Sequence, residues 1–346
     1  MKKIELKKGE RTEELLRKYF LSIGYYVLRS VEFKYHGFDI TDIDLWLYSR
    51  PSPISRERTN VDIKMKKQPQ ALERVLWTKG LQKVLDLEKC IVATTDRRPD
   101  VTEFGIKHDV LILDGNFLSK LTSTERYDDQ RISEEDFEDI LTSLEPDFYN
   151  NTLKHRYRQS KAILITKLNF DGINHLLEDI QFYLEKVATA EKESYYAACR
   201  ALYSSISMFL ITLDYSIKDI IFKEHEERIK VISANIRYGV DGKEQAKKLL
   251  SMSTKLLSSF IGSTPIDNTT VITEVENQFQ SIPAEIIANH FSTTQSMKQI
   301  FQLAIAFEGL AFSKDIPRTI DLPFEMKSIV GVLCDYNSID RKKVIR

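Results

Sequence analysis

Three residues in the first fifth of the chain could act together on a phosphate. In TDIDLWLYS, an alternating strand puts Asp42, Asp44 and Trp46 on one face and Ile43, Leu45 and Leu47 on the other. In NVDIKMK, Asp62, Lys64 and Lys66 share a face opposite Val61, Ile63 and Met65. If the two strands lie side by side, two carboxylates and an ammonium converge above one sheet face. Such a pair of hard oxygen ligands suits a divalent cation whose shell is completed by water. The cation would polarise a phosphate and acidify a bound water. Lys64, two residues beyond Asp62, would orient that water or stabilise developing charge. Asp-x-Lys in an alternating strand is also common on plain solvated faces, so the surrounding elements have to carry the argument.

Those elements follow in a definite order. ERTEELLRKYFLS spaces Leu15, Leu16, Tyr19 and Phe20 on one helical face, and Gly24 stops it. YYVLRSVEF and FDITDIDLWLYS read as strands joined by a turn at Tyr35-His36-Gly37, and NVDIKMK is a third. Pro69 should open a helix over about 69–88, with Leu72, Val75, Leu76, Val84 and Leu85 inward. CIVATT is a short buried strand, a helix runs from Pro99 to about Lys107, and VLILD is the last strand. Strands alternating with helices predict an α/β domain, a mixed central sheet flanked by helices, over residues 1–122. Residues 123–150 are an acidic linker with a helix at SEEDFEDILTSL, and residues 151–346 are all-α. TPIDNTT and DIPRTIDLP read as loops. ESYYAACRALYSSISMFLITL is apolar nearly all round and should be the central helix of a bundle, with Tyr195, Tyr196 and Tyr203 in its core.

The ordered set resembles the PD-(D/E)xK nuclease superfamily, and within it the Mrr-like restriction endonucleases, over about residues 8–121. KKGERTEELLRKYFLSIGYYV is similar to the opening helix of that family, with Glu13 at the position of its glutamate; DIDLWL supplies Asp44, and VDIKMK supplies Asp62 and Lys64. CIVATTDRRPDVTEFGIKHDVLILDGNFL is similar to the closing segment. The resemblance implies a restriction-endonuclease-like fold and a Mg2+-dependent DNA endonuclease, with Mn2+ able to substitute. Asp44 and Asp62 would ligate metal, Lys64 would assist the water and Glu13 would support the site. Asp42 and Glu14 are rivals of Asp44 and Glu13. Asp62 stands where glutamate is commoner, and the glutamine often found early in the next helix has three candidates, Gln68, Gln70 and Gln82.

Lys66, Lys67, Arg56, Arg58 and Lys79 flank these positions and are candidates for phosphate contact, with Lys83 on the face of Lys79. The same residues also fit a solvated charged face. Trp46 could stack on a base or pack in the core.

Bulk properties agree with an enzyme of this kind without demanding one. The chain has 346 residues, 42% hydrophobic and 29% charged, with net charge −1. The charge is uneven: +5 over residues 1–120, −8 over 121–150 and +2 beyond. Cys90, Cys199 and Cys334 lie far apart in apolar stretches and should be buried thiols, neither disulfides nor zinc ligands. MKKIELKKGE lacks the apolar segment of a signal peptide, so a cytoplasmic protein with no membrane segment is expected. Double-strand cleavage needs two active sites, hence a homodimer; an ATPase, a helicase or another defence-system subunit is a further possible partner. A repair nuclease for branched DNA and a catalytically weak scaffold subunit are the alternative functions.

Overall fold

The computed structural model describes residues 4–66, 70–123, 130–143, 153–261 and 268–346. Its first part runs α1 (Lys8–Ser22), β1 (Tyr26–Tyr35), β2 (Phe38–Ser49), β3 (Glu57–Lys64), α2 (Ala71–Val84), β4 (Lys89–Thr94), α3 (Pro99–Lys107), β5 (Leu111–Leu113) and α4 (Gly115–Ser123). These strands form one mixed sheet in the order β1-β2-β3-β4-β5. The first three are antiparallel, and β3, β4 and β5 are parallel. The α/β expectation therefore holds as a mixed sheet with covering helices.

Local chemistry explains the connections. The β1–β2 hairpin closes through His36 (φ 47°) and Gly37 (φ 85°), and Tyr35 pairs with Phe38 across the turn. Two positive-φ residues match the right-handed twist of the flanking strands. Parallel pairing of β3 with β4 and of β4 with β5 needs crossovers, which α2 and α3 provide. Pro99 stands at the start of α3, where a missing N–H costs nothing.

One sheet face packs Leu45, Leu47, Val61, Ile63 and Ala93 against Leu16 and Phe20 of α1 and Leu118 of α4. The other packs Val92 and Cys90 against Val75 of α2. The long helix expected over 69–88 is shorter and differently phased. Val75 and Leu85 are buried as expected, but Leu72, Leu76 and Val84 are exposed, as is Trp77. With Ala71, Val75 and Thr78 against the sheet, the 100° step per residue carries Leu72 and Leu76 to the flank. Pro69 lies outside the described residues.

The helical part comprises α5 (Glu134–Ser143), α6 (Leu153–Thr166), α7 (Phe170–Thr189), α8 (Lys192–Ser216), α9 (His225–Tyr238), α10 (Gly242–Ile261), α11 (Asn268–Ser281), α12 (Ala284–Phe291), α13 (Thr294–Ala311), α14 (Phe324–Tyr336) and α15 (Arg341–Val344). The helix α8 has the length and composition to cross a membrane, yet 94% of its apolar window is buried inside the fold. It packs between α7 and α13 as the central helix. Tyr195 and Tyr203 are buried there, whereas Tyr196 is exposed, contrary to expectation. Residues 268–270 of TPIDNTT begin α11 instead of continuing a loop, and the preceding residues lie outside the description. All three cysteines are free and buried.

The helical half is not a detached body. Tyr26, Trp46 and Tyr48 of the sheet join the same apolar core as Tyr203, Phe301 and Phe312. A buried ion network reinforces the seam. Arg17 of α1 bonds Glu134 (2.9 Å) and Glu308 (2.8 Å). Arg29 of β1 bonds Glu13, Glu14 and Glu135 at 2.7–2.9 Å. Lys161 of α6 bonds Glu134 (2.6 Å) and the Arg29 carbonyl (2.9 Å). The acidic run is thus more than a linker, because its first helical turn neutralises cations of the sheet domain.

Burial alone would raise the Glu134 pKa, but Lys161 and Arg17 outweigh it and hold the carboxylate at about 2, against an ordinary 4.5. A depressed acid stabilises the fold above its unfolded pKa and loses that contribution as pH falls through the folded one. Replacing Glu134 by Ala leaves the buried Lys161 without its carboxylate and takes one of Arg17's partners away, and should cost about 3–5 kcal/mol at pH 7. Urea titrations of both proteins should show the gap closing between pH 4.5 and 2; a gap already closed at pH 6 would contradict this.

Candidate functional site

The register of β2 against β3 decides the site. Leu45 pairs with Val61 and Trp46 with Asn60, antiparallel. The ladder ends at the Leu45–Val61 pair; Asp44 precedes Leu45 and Asp62 follows Val61, so the two aspartates flank the end of the ladder, with Lys64 two residues beyond Asp62. The Asp44 carboxylate accepts the Ile63 N–H at 2.6 Å, fixing it at the point where the two strands part. Asp42 is exposed on the outer stretch of β2.

The surroundings of Asp44 shift its acidity. Burial raises the Asp44 pKa to about 7; the Ile63 N–H and Lys64 oppose the rise, while Asp62 and Glu13 add to it. Asp62, Lys64 and Glu13 therefore all lie close enough to act on the Asp44 carboxylate. Glu13 is held by its bond to Arg29 at 2.8 Å. Glu14 is buried and committed to Arg29, Arg17 and the Glu134 N–H, so it is structural.

One further residue belongs to the site. Arg74, in the first turn of α2, forms a two-pronged bond with the Asp62 carboxylate, its Nε at 2.9 Å. A guanidinium thus stands against one of the two acids. Its signal in the sequence is weak: a cation at the start of the helix that crosses back over the strand carrying Asp62.

The residues expected to touch phosphate separate into two groups. Lys66 is exposed just past β3 and Lys83 is exposed on α2, while Lys79 is half-buried there, 4.0 Å from Asp109. Lys67 lies outside the described residues. Arg56 and Arg58 are corrected. Arg56 is buried, bonding Asp214 and the carbonyls of Ser52, Pro53 and Ser55. Arg58 bonds Glu88 at 2.8 Å and stacks on Tyr215. Neither faces outward, since a carboxylate captures each. Trp46 is fully buried and is a core residue. His36 serves the β-turn and His108 ends α3.

The donor set suits a hard divalent cation. Asp44 and Asp62 both offer carboxylate oxygens, and Asp44 has no cationic bonding partner among the described residues. No group of three or more His, Cys, Asp and Glu side chains is gathered for a metal among the described residues. Two carboxylates with the remainder from water and phosphate oxygens is the usual arrangement for Mg2+. No protein family, no curated protein and no solved structure matches the chain.

A group whose folded pKa is raised stabilises the fold below its unfolded pKa and loses that contribution as pH rises through the folded value. In EDTA, Asp44→Asn, which keeps an acceptor for the Ile63 N–H, should therefore become more stable relative to wild type as pH rises from 4 to 8. A tenfold change in acidity corresponds to about 1.4 kcal/mol, so the gain at pH 8 should be on the order of 2–4 kcal/mol. Urea unfolding at pH 4, 6 and 8 measures it, and a pH-independent difference would refute the shared field at Asp44.

Proposed function

We propose that this chain is a metal-dependent DNA endonuclease of the PD-(D/E)xK kind, resembling the Mrr-like restriction enzymes and acting in restriction or phage defence. The observation that carries the reading is the Asp44 carboxylate at the end of the β2–β3 ladder, bonded to the Ile63 N–H next to Asp62, near enough to Asp62 and Lys64 to feel both, and made hungry for a positive partner by burial. The order of elements from α1 to β5 also matches the order that the resemblance implies.

In this reading Asp44 and Asp62 hold Mg2+, or Mn2+ in its place, which supplies Lewis acidity toward a phosphodiester oxygen. Lys64 points a water at phosphorus and stabilises the negative charge that builds on the phosphate oxygens. Burial, with smaller contributions from Asp62 and from Glu13 held by Arg29, would keep the proton affinity of Asp44 high in the absence of a cation. Arg74, paired with Asp62 in this structure, would be placed to grip a phosphate with two parallel bonds were Asp62 engaged by a cation. Lys66 and Lys79 add charge along the DNA backbone. The apolar stripe of Leu72, Leu76 and Trp77 on α2 offers a surface for a second copy, consistent with a cytoplasmic homodimer cutting both strands.

A second reading draws on the Arg74–Asp62 pair. A site closed by its own arginine fits a scaffold subunit that cuts only inside a larger defence complex.

Supercoiled plasmid and phage DNA incubated with the purified protein in Mg2+, Mn2+ or EDTA tests the choice. Metal-dependent cutting should appear, and Asp44→Ala and Lys64→Ala should each lower it at least 100-fold while the melting temperature shows a folded protein. Variants that cut as well as wild type would remove these residues from the chemistry, and a protein that never cuts would favour the scaffold.

A further inference from the structure

A second, separate site lies where the chain leaving β2 meets the helical half. A cavity of about 470 Å3 opens there, lined by Arg50 and Pro51 after β2, by Arg228 of α9, and by Met297, Lys298 and Phe301 of α13. Its volume is that of a small-molecule pocket. Arg50 follows Asp44 by six residues along an extended strand, about 20 Å at 3.3 Å per residue, so the cavity is distinct from the Asp44–Asp62 centre.

The chemistry of its wall is one-sided. No carboxylate lines it among the described residues. Arg228 is over nine-tenths buried, yet among the described residues its guanidinium bonds only the Met297 sulfur, at 3.1 Å, and its Nε has no partner. A buried guanidinium without a counter-charge is costly unless a ligand supplies one. Arg50 bonds the Met297 carbonyl at 2.7 Å and Asp214 at 3.1 Å. Asp214 is already shared with Arg56 and Tyr48, so this one carboxylate is spread over two guanidiniums and a phenol. Lys298 is exposed at the rim. Thr294, the first residue of the 18-residue α13, also lines the wall, adding the positive end of a helix dipole.

The apolar part of the wall is equally specific. Phe301, Met297 and Pro51 present a ring, a polarizable thioether and a flat pyrrolidine beside the cations. A phosphate alone would leave this surface wet, and an apolar ligand would leave Arg228 unpaired.

We infer that this cavity binds a nucleotide, its phosphate held by Arg228, Lys298 and the α13 N-terminus and its base packed against Phe301 and Met297. The inference does not rest on the nuclease reading, because its readout is binding. The test is calorimetric titration of the full chain with AMP, ATP and cyclic di-AMP, with adenosine and inorganic phosphate as controls. At least one nucleotide should bind in the micromolar range, at least tenfold tighter than either control. Lys298→Glu, a rim substitution that leaves the core untouched, and Arg228→Met should each weaken that binding at least tenfold. If Arg228→Met does not fold, Lys298→Glu decides. No nucleotide binding, a control that binds as tightly as the best nucleotide, or binding that survives substitution in a folded variant would each overturn the inference.

Discussion

Two arginines that reach almost no water, Arg17 and Arg29, have to be neutralised, and most of the architecture answers that demand. Arg29 on β1 draws Glu13 and Glu14 from α1 and Glu135 from α5. Arg17 draws Glu134 from α5 and Glu308 from α13, residues 117 and 291 positions away. Burying such charges is favourable only when every partner is in place. The network therefore fuses the sheet, the acidic helix and the bundle into one cooperative seam, and it leaves Glu13 fixed on the flank of the Asp44 carboxylate.

The candidate site inherits its geometry from that frame. The alternation of β2 supplies Leu45 and Leu47 to one core and Trp46 and Tyr48 to another, so the strand cannot slip by one residue without reversing both. Asp44 is consequently locked beside Asp62, where burial and two neighbouring carboxylates make its charge unfavourable. Arg74 on α2 balances Asp62 in the meantime.

Much of this was legible in the sequence. Period-two alternation in NVDIKMK put Asp62 and Lys64 on one strand face, because strand faces follow directly from spacing. In TDIDLWLYS it holds from Leu45 to Tyr48, but Ile43 joins the core of Trp46 and Tyr48 instead of that of Leu45 and Leu47, so the alternation breaks beside Asp44. The strand and helix order of the sheet domain was readable for the same reason. What spacing could not reveal was long-range pairing. Arg56 looks like any loop arginine until Asp214, 158 residues away, is folded against it. Leu72, Leu76 and Val84 looked like an inward face because apolar residues on two sides of α2 left its phase ambiguous. The union of the two halves was hidden likewise, since Tyr26 and Tyr48 find Ser207 and Asp214 across more than 160 residues.

The central claim is that Asp44 and Asp62 together hold a divalent cation. Anomalous diffraction from crystals soaked in Mn2+ tests it most directly. The account predicts a single strong peak between the two carboxylates, with the Arg74 guanidinium withdrawn from Asp62. A Mn2+ peak elsewhere, or none while Arg74 stays on Asp62, would contradict it.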